Sequence, residues 1–410
     1  MKLKITSPTK EIKSFMSLPA SKSISNRTLI IRALCEERFR TKNLSTSNDT
    51  QVLIHALKNL SADTIDIGAA GTAMRFLTAY LSLVEGERIL TGSERMKQRP
   101  IYTLVNILKE LGAEIDYLEN DGYPPLKITG KKLNAKPVNI KGNISSQFIS
   151  ALLMIAPYLD DDFILTIEDI ILSKDYIWMT IKLMQKFGID VEWNDNKIVV
   201  KKGKYQPSEI IIEGDWSAAS YWFEIISLSK NSMIELTGIK KDSLQGDSIL
   251  TELYKTIGID SAFTNFGLRI KNIPTTCTFF EYDFTDCPDL AQTLAVTLIA
   301  KNIPFKLNGL DNLSIKETDR IKALVTEFKK LGIYIQSENN NMISWQGNQT
   351  IKAPNDHIVE TYEDHRMALA FAPLSIITKE IIIEDPDVVA KSYPDYWKRL
   401  GEVGFELSNI

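Results

Sequence analysis

Ser145-Ser146-Gln147-Phe148-Ile149-Ser150-Ala151-Leu152-Leu153-Met154-Ile155 passes from small and polar residues into a run that is apolar on nearly every side. Serines of this kind open helices, and a helix without a polar face must be buried all round. Five other stretches open in the same way: Ala20-Ser21-Lys22-Ser23, Ala70-Gly71-Thr72, Asp215-Trp216-Ser217, Asp286-Cys287-Pro288-Asp289 and Asp364-His365-Arg366. From Lys22 through Thr72, Ser146, Ser217 and Asp289 to His365 the steps are 50, 74, 71, 72 and 76 residues. A helix N-terminus presents unpaired N–H groups and a partial positive charge. Six such openings suit a ligand with several negative charges.

A second signal runs in phase with the first. Leu108-Lys109-Glu110-Leu111-Gly112-Ala113-Glu114-Ile115 and Met184-Gln185-Lys186-Phe187-Gly188-Ile189-Asp190-Val191 each end a helix in glycine and enter a strand. Gly258, Gly332 and Gly404 repeat the pattern, and Leu57–Asp63 is a degenerate copy with Ser61 in the glycine's place. Glycine there is a C-cap that tolerates the left-handed conformation. Each repeat of about 70 residues therefore holds two helices and several short strands, which fits α/β layers better than a solenoid of shorter period. One helix of each pair is buried. The other, typified by Val105-Asn106-Ile107-Leu108-Lys109-Glu110, is amphipathic and faces solvent. Three repeats to a domain is the simplest grouping, with crossovers near Lys22 and Asp215, so that the N-terminal strand joins the C-terminal repeats.

Length and composition agree with this. At 410 residues, two domains are expected, and 44% hydrophobic with 24% charged residues is ordinary for a globular protein. No apolar run reaches a membrane span's length. Met1-Lys2-Leu3-Lys4-Ile5-Thr6 alternates like an edge strand and carries no signal-peptide core. Cys35, Cys277 and Cys287 have no paired spacing, so a cytoplasmic protein is expected. A net charge of −4 argues against a nucleic-acid partner. The three histidines, His55, His357 and His365, have no ligand spacing, so no metal is expected.

The chemistry-bearing residues cluster at the openings. Lys22 sits in the first turn of its helix against the dipole, with Arg27 five residues on; the alternative for this segment alone is a capped surface helix. Gly68-Ala69-Ala70-Gly71 lets a ligand approach backbone amides, or a helix pack closely on a strand. Arg95-Met96-Lys97-Gln98-Arg99-Pro100 brings three bases before a helix at Pro100. Lys316 and Arg320 share a helical face at i,i+4 with Glu317 beside them, unless the hexapeptide is merely a solvated helix start. Together Lys22, Arg27, Arg75, Arg99, Lys316, Arg320, Arg366 and Lys391 surround Asp289 and Glu317. That is a set for a polyanionic substrate and acid–base chemistry. No Walker or Rossmann glycine motif is present.

In order along the chain, Pro19–Ser23 with Arg27, Ala70–Arg75, Arg95–Pro100, Ser145–Phe148, Glu213–Asp215, Lys316–Arg320, Asp364–Met367 and Ala390–Asp395 resemble the 5-enolpyruvylshikimate-3-phosphate synthase family, the 3-phosphoshikimate 1-carboxyvinyltransferases. The resemblance covers essentially the whole chain. It implies an α/β enolpyruvyl transferase fold of two domains, each an inside-out α/β barrel of three βαβαββ units with buried central helices. Residues 1–20 plus 215–410 would form one domain and 21–214 an inserted one, with the active site in the interdomain cleft. It further implies transfer of the enolpyruvyl group of phosphoenolpyruvate to the 5-hydroxyl of shikimate 3-phosphate by a monomer, with no cofactor. Carried over by position, Lys22, Ser23, Arg27, Ser145, Ser146, Gln147, Ser173, Asp289, Asn312 and Lys316 would contact shikimate 3-phosphate. Lys22, Gly71, Arg99, Gln147, Arg320, Arg366 and Lys391 would contact phosphoenolpyruvate. Asp289, Glu317 and Lys22 would move protons.

Ala69, Phe76 and Glu363 depart from the family's usual asparagine, proline and asparagine. With Gly71 retained, glyphosate is expected to compete with phosphoenolpyruvate. The UDP-N-acetylglucosamine enolpyruvyl transferases share the fold but carry a cysteine in the loop matching Arg95–Pro100, which this chain lacks; Cys35 reads as buried in an apolar helix. A non-catalytic phosphometabolite binder would lose Asp289 or Glu317, and both are present.

Overall fold

All six polar openings lead into helices: α1 (Lys22–Leu34), α2 (Gly71–Leu81), α3 (Ser146–Ile155), α4 (Trp216–Leu228), α5 (Ala291–Ala300) and α6 (His365–Phe371). They are seen in a computed structural model that describes residues 1–8, 11–352 and 358–410. His357 lies outside these residues. Four of the six helices are capped by side chains. Ser21 and Ser145 accept from Ile24 N and Gln147 N, and Asp215 and Asp364 accept from Ala218 N and Arg366 N. Each cap satisfies an otherwise orphaned N–H. No side chain caps α2, which begins after Ala70, and α5 is entered through a 3-10 turn at Pro288–Leu290.

The chain divides into two units, Ser21–Ile212 and Met1–Ala20 with Glu213–Ile410. In the first, α1, α2 and α3 pack on one another; in the second, α5 packs on both α4 and α6. These helices are buried on nearly every face, as α3 shows from Phe148 to Ile155. Glu213 and Gly214 belong with the second unit. Gly214 N donates to Gly238 O at 2.7 Å, and Ala20 bridges to Gly214.

Around the central helices lie small separate sheets, with one strand pattern used five times. A parallel pair is followed by an antiparallel pair, as in the order Thr64–Asp66, Gly86–Thr91, Leu126–Gly130, Glu114–Tyr117. The first repeat is the exception. Its step is only 50 residues, and it keeps just a parallel ribbon of Thr41–Lys42 with Ile210–Ile211. The missing pair accounts for the shortened step.

Lys2–Thr6 corrects one expectation, for it is an interior strand. It pairs antiparallel with Glu380–Glu384 on one side and with Glu406–Asn409 on the other. Its alternation reflects one buried face, carrying Leu3 and Ile5, and alternation of this kind does not distinguish edge from interior.

The outer helices end as their glycines require. Gly112, Gly188, Gly258, Gly332 and Gly404 all have φ between 79° and 99°. At Gly112 the two bonds of a Schellman cap are present, Gly112 N to Lys109 O and Ala113 N to Leu108 O, both at 2.9 Å. The degenerate copy is closed differently: the Asn59 side-chain amide donates to His55 O at 2.8 Å, and Ser61 needs no positive φ. One polar group stands out in the core. Glu224 lies in the middle of α4, and among the described residues neither carboxyl oxygen has a hydrogen-bond partner. Burial pushes its carboxyl well above the usual range, because the charged form loses its hydration there.

Candidate active site

In the Ser21–Ile212 unit the convergence of α1, α2 and α3 brings together residues far apart in sequence. Lys22 is the first residue of α1 and its Nζ lies 3.1 Å from Asp49 Oδ2. Arg27, one and a half turns on, is buried and held by neutral groups. It donates to Thr180 Oγ1 (2.7 Å), Ser23 O (3.0 Å), Ser150 Oγ (3.0 Å) and Tyr176 O (3.3 Å). Its guanidinium also lies 5.4 Å from the centroid of Phe76. Burial pushes Arg27 down to about 10.

The openings of α2 and α3 meet where Gln147 Nε2 donates to Thr72 Oγ1 at 3.3 Å. A Cβ on Gly71 would stand 2.6 Å from Arg99 Nη1 and 3.0 Å from Arg75 Nη1, so two guanidinium groups crowd this helix start. Arg75 donates to Gly71 O at 3.1 Å. Ser145 caps α3, Ser146 is buried in its first turn, and Ser173, with φ 55°, precedes the Lys174–Lys186 helix.

The basic stretch after Arg95 folds otherwise than its spacing suggests. Glu94–Lys97 is a short helix of its own, capped by Ser93, with Lys97 paired to Glu94 and Glu119. Pro100 precedes the residue that caps the Tyr102–Glu110 helix, so it is not that helix's first residue. Of the three bases, Arg99 is the one that reaches Gly71. Cys35 also departs from expectation. It is half-buried just beyond the end of α1, where its Sγ donates to Tyr205 O at 3.3 Å.

In the other unit the candidate residues form an ion network centred on Arg320. This buried guanidinium donates to Asp289 Oδ1 (2.9 Å), Glu317 Oε2 (2.9 Å) and Asp364 Oδ2 (2.7 Å). Burial alone would weaken its charge, but Asp364, Glu317 and Asp289 offset this and hold it above its ordinary value. Asp289 also meets Arg366 Nη2 at 3.0 Å and Lys316 Nζ at 3.7 Å, and Glu317 meets Lys391 Nζ at 3.3 Å. Burial pushes Lys316 below its ordinary value, against the opposing pull of Asp289.

Lys316 and Arg320 do not share a helical face. Arg320 starts the Arg320–Lys330 helix after the cap Asp319, and Lys316–Asp319 is loop. The two cations meet through Asp289 instead. Asn312 is buried just before the 3-10 turn Leu313–Ile315.

Two carboxylates escaped sequence reasoning about the site. Asp49 follows a serine-rich turn and looks like an ordinary first-turn acid, whereas Asp364 stands in a stretch the sequence singles out and proves to bind Arg320. Asp247 lies in the 3-10 turn Gly246–Ile249 and accepts from Ser217 Oγ at the start of α4. Burial, followed by Asp289, raises it to about 7. Neither Asp49 nor Asp247 has a local pattern that marks it; each is found by where its helix or turn lands. Among the described residues, no group of three or more His, Cys, Asp and Glu could hold a metal, and no helix is long and apolar enough to cross a membrane.

A family profile described as EPSP synthase (3-phosphoshikimate 1-carboxyvinyltransferase) matches residues 6–67 and 61–400. The chain belongs to the EPSP synthase family. It is 48% identical over 408 residues to a 3-phosphoshikimate 1-carboxyvinyltransferase of Bacteroides fragilis, covering 99% of both chains. To one of Vibrio campbellii it is 36% identical over 426 aligned positions, covering 96% of this chain and 97% of the other. The solved structure of EPSP synthase from Acinetobacter baumannii is similar over 100% of both chains, with a TM-score of 0.80 at 20% identity, a likeness of fold. The two-unit α/β architecture with its buried helices is thus that of the EPSP synthase family.

Proposed function

We propose that this chain transfers the enolpyruvyl group of phosphoenolpyruvate to the 5-hydroxyl of shikimate 3-phosphate and releases phosphate, a step towards aromatic amino acids. The observation that carries the assignment of roles is that Asp289 and Glu317, the two carboxylates suited to proton transfer, hang from one guanidinium, Arg320, at 2.9 Å each. A shared anchor fixes their separation, so a base and an acid are pre-positioned for one substrate pair.

Addition forms a bond between the 5-oxygen and C2 of phosphoenolpyruvate while Asp289 accepts the hydroxyl proton. Glu317, with Lys22, delivers a proton to C3, which becomes a methyl group. Elimination then breaks the C2–O bond to phosphate and removes a proton from that methyl, restoring the double bond. Three cations around Asp289 disfavour its taking a proton while they remain. The carboxylate and phosphate of phosphoenolpyruvate compete for Arg320, Arg366 and Lys391, which frees Asp289 and Glu317 as the substrate arrives. Arg99 and the open backbone at Gly71 add anion contacts. Lys22, Ser23, Arg27, Ser145, Ser146, Gln147, Ser173, Asn312 and Lys316 hold shikimate 3-phosphate.

Glyphosate competes with phosphoenolpyruvate at these cations. The enzyme works as a cytoplasmic monomer on two small molecules, in keeping with its three free cysteines. Phosphate release from phosphoenolpyruvate, measured with shikimate 3-phosphate beside UDP-N-acetylglucosamine, tests the function. Release with the shikimate ester alone is expected, and release with the nucleotide sugar alone, or with neither, overturns it.

A further inference from the structure

Lys22 carries a positive charge where its helix disfavours one. It is the first residue of α1, at the positive end of the dipole, and its side chain is only 19% exposed. Asp49 offsets this with Oδ2 3.1 Å from Nζ, on a side chain 7% exposed. The two come from different helices, 27 residues apart. Asp49 lies in the first turn of Asn48–Lys58, where the dipole favours a carboxylate.

A ladder of polar side chains locks the two helices together. Ser45 N donates to Ser25 Oγ (3.0 Å), Ser45 Oγ to Ser47 Oγ (3.0 Å), Ser47 Oγ to Thr50 Oγ1 (3.1 Å), and Thr50 Oγ1 to Asn26 Oδ1 (2.8 Å). Ser25 and Asn26 flank the turn above Lys22, and Ser47 and Thr50 flank Asp49. The turn that carries Asp49 is therefore fixed against α1, and among the described residues Lys22 is the carboxylate's one ion-pair partner.

We propose that Asp49 is a positioning residue for Lys22, keeping its ammonium charged and aimed at the reacting substrates. This rests on the role given to Lys22 above. Asp49 touches neither substrate; it acts through Lys22 alone, so its loss must disappear when Lys22 is already gone. Asp49→Asn keeps the size and an acceptor oxygen while removing the charge. Turnover should fall about 10-fold to 100-fold, with the KM of shikimate 3-phosphate changed far less. Asp49→Glu should recover most of the loss. In the Lys22→Ala background, Asp49→Asn should cost nothing further.

A second measurement does not depend on turnover. Trace acetic anhydride modifies neutral amines, and peptide mass spectrometry reads the labelling of Lys22. Labelling should be several-fold faster in Asp49→Asn, since one pKa unit is about a tenfold change in the neutral fraction, and should return towards the parent rate in Asp49→Glu. An equal loss of turnover with and without Lys22, or unchanged labelling, overturns the proposal. If the parent protein releases no phosphate, the functional assignment falls, and the labelling still decides whether Asp49 governs Lys22.

Discussion

Two site arginines, Arg27 in one unit and Arg320 in the other, are held by opposite means. In Ser21–Ile212, Arg27 is held by two hydroxyls, two carbonyls and two aromatic rings, with no carboxylate partner among the described residues. In the other unit Arg320 bears three carboxylates, Arg366 pairs with Asp289 and Lys391 with Glu317. A guanidinium held by neutral dipoles keeps its charge for an incoming anion, and binding displaces nothing. A guanidinium already neutralised accepts an anion only by exchange, which releases a protein carboxylate. In the proposed reaction the first arrangement suits recognition and the second suits proton transfer.

The contrast between the two arginines bears hardest on Asp289. Asp289→Ala removes the proposed base but leaves Arg320 two carboxylates, so the network persists. Turnover should fall about 10³-fold, with much smaller changes in either KM, by steady-state phosphate release. Normal turnover with weakened binding would reject the division of labour.

Asp247 tests the acidic side of the same network through stability. Its carboxyl is raised from 3.8 to about 7, by burial first and by Asp289 second. Below about pH 4 both folded and unfolded chains hold this proton. Between about 4 and 7 only the folded chain does, so unfolding releases a proton and stability falls as pH rises through that window, then levels off. Asp247→Asn removes the dependence. It should stabilise by up to about 4 kcal/mol at pH 8 and change little near pH 4, as thermal melts at the two pH values would show. An equal shift at both would mean that the charge of Asp247 is not the cause.

How much of this was visible beforehand follows from the range of each interaction. Helix openings and C-cap glycines are local, so six helix starts and five left-handed glycines could be read from spacing. The anionic character of the ligand was legible for the same reason, since the cations sit at the openings themselves. Asp49 and Asp247 were not legible. Each acts on a group 27 or more residues away, and no periodicity encodes where two helices meet. Lys316 and Arg320 show the opposite error. An i,i+4 spacing suggested a shared helical face, but Asp319 caps the helix between them and puts Lys316 in a loop. Lys2–Thr6 was misplaced at an edge because alternation reports one buried face and says nothing of how many neighbours a strand has.

On the recognition side, Arg27→Lys keeps the charge and loses the planar fork. A lysine can satisfy fewer of the four acceptors now gathered on the guanidinium, so the cation is no longer fixed in direction. The KM of shikimate 3-phosphate should rise about tenfold with turnover largely kept. A comparable loss of turnover would place Arg27 with the catalytic network and erase the contrast between the units.

The smallest effect is expected where the two guanidinium groups crowd α2. Gly71→Ala puts a methyl group 2.6 Å from Arg99 Nη1 and 3.0 Å from Arg75 Nη1. The obstruction is the far end of flexible side chains, so the fold should tolerate it and Tm should stay within a degree or two. Arg99 must swing aside, however, and among the described residues its Nε already has no hydrogen-bond partner. The KM of phosphoenolpyruvate should rise about threefold to tenfold, roughly 1 kcal/mol, while that of shikimate 3-phosphate stays level. If both constants rise together, Gly71 and Arg99 serve the shared frame of α2 and α3 instead of one ligand. The Gln147–Thr72 bond at 3.3 Å is the link through which that effect would spread, and Thr72→Val would reproduce it without touching Arg99.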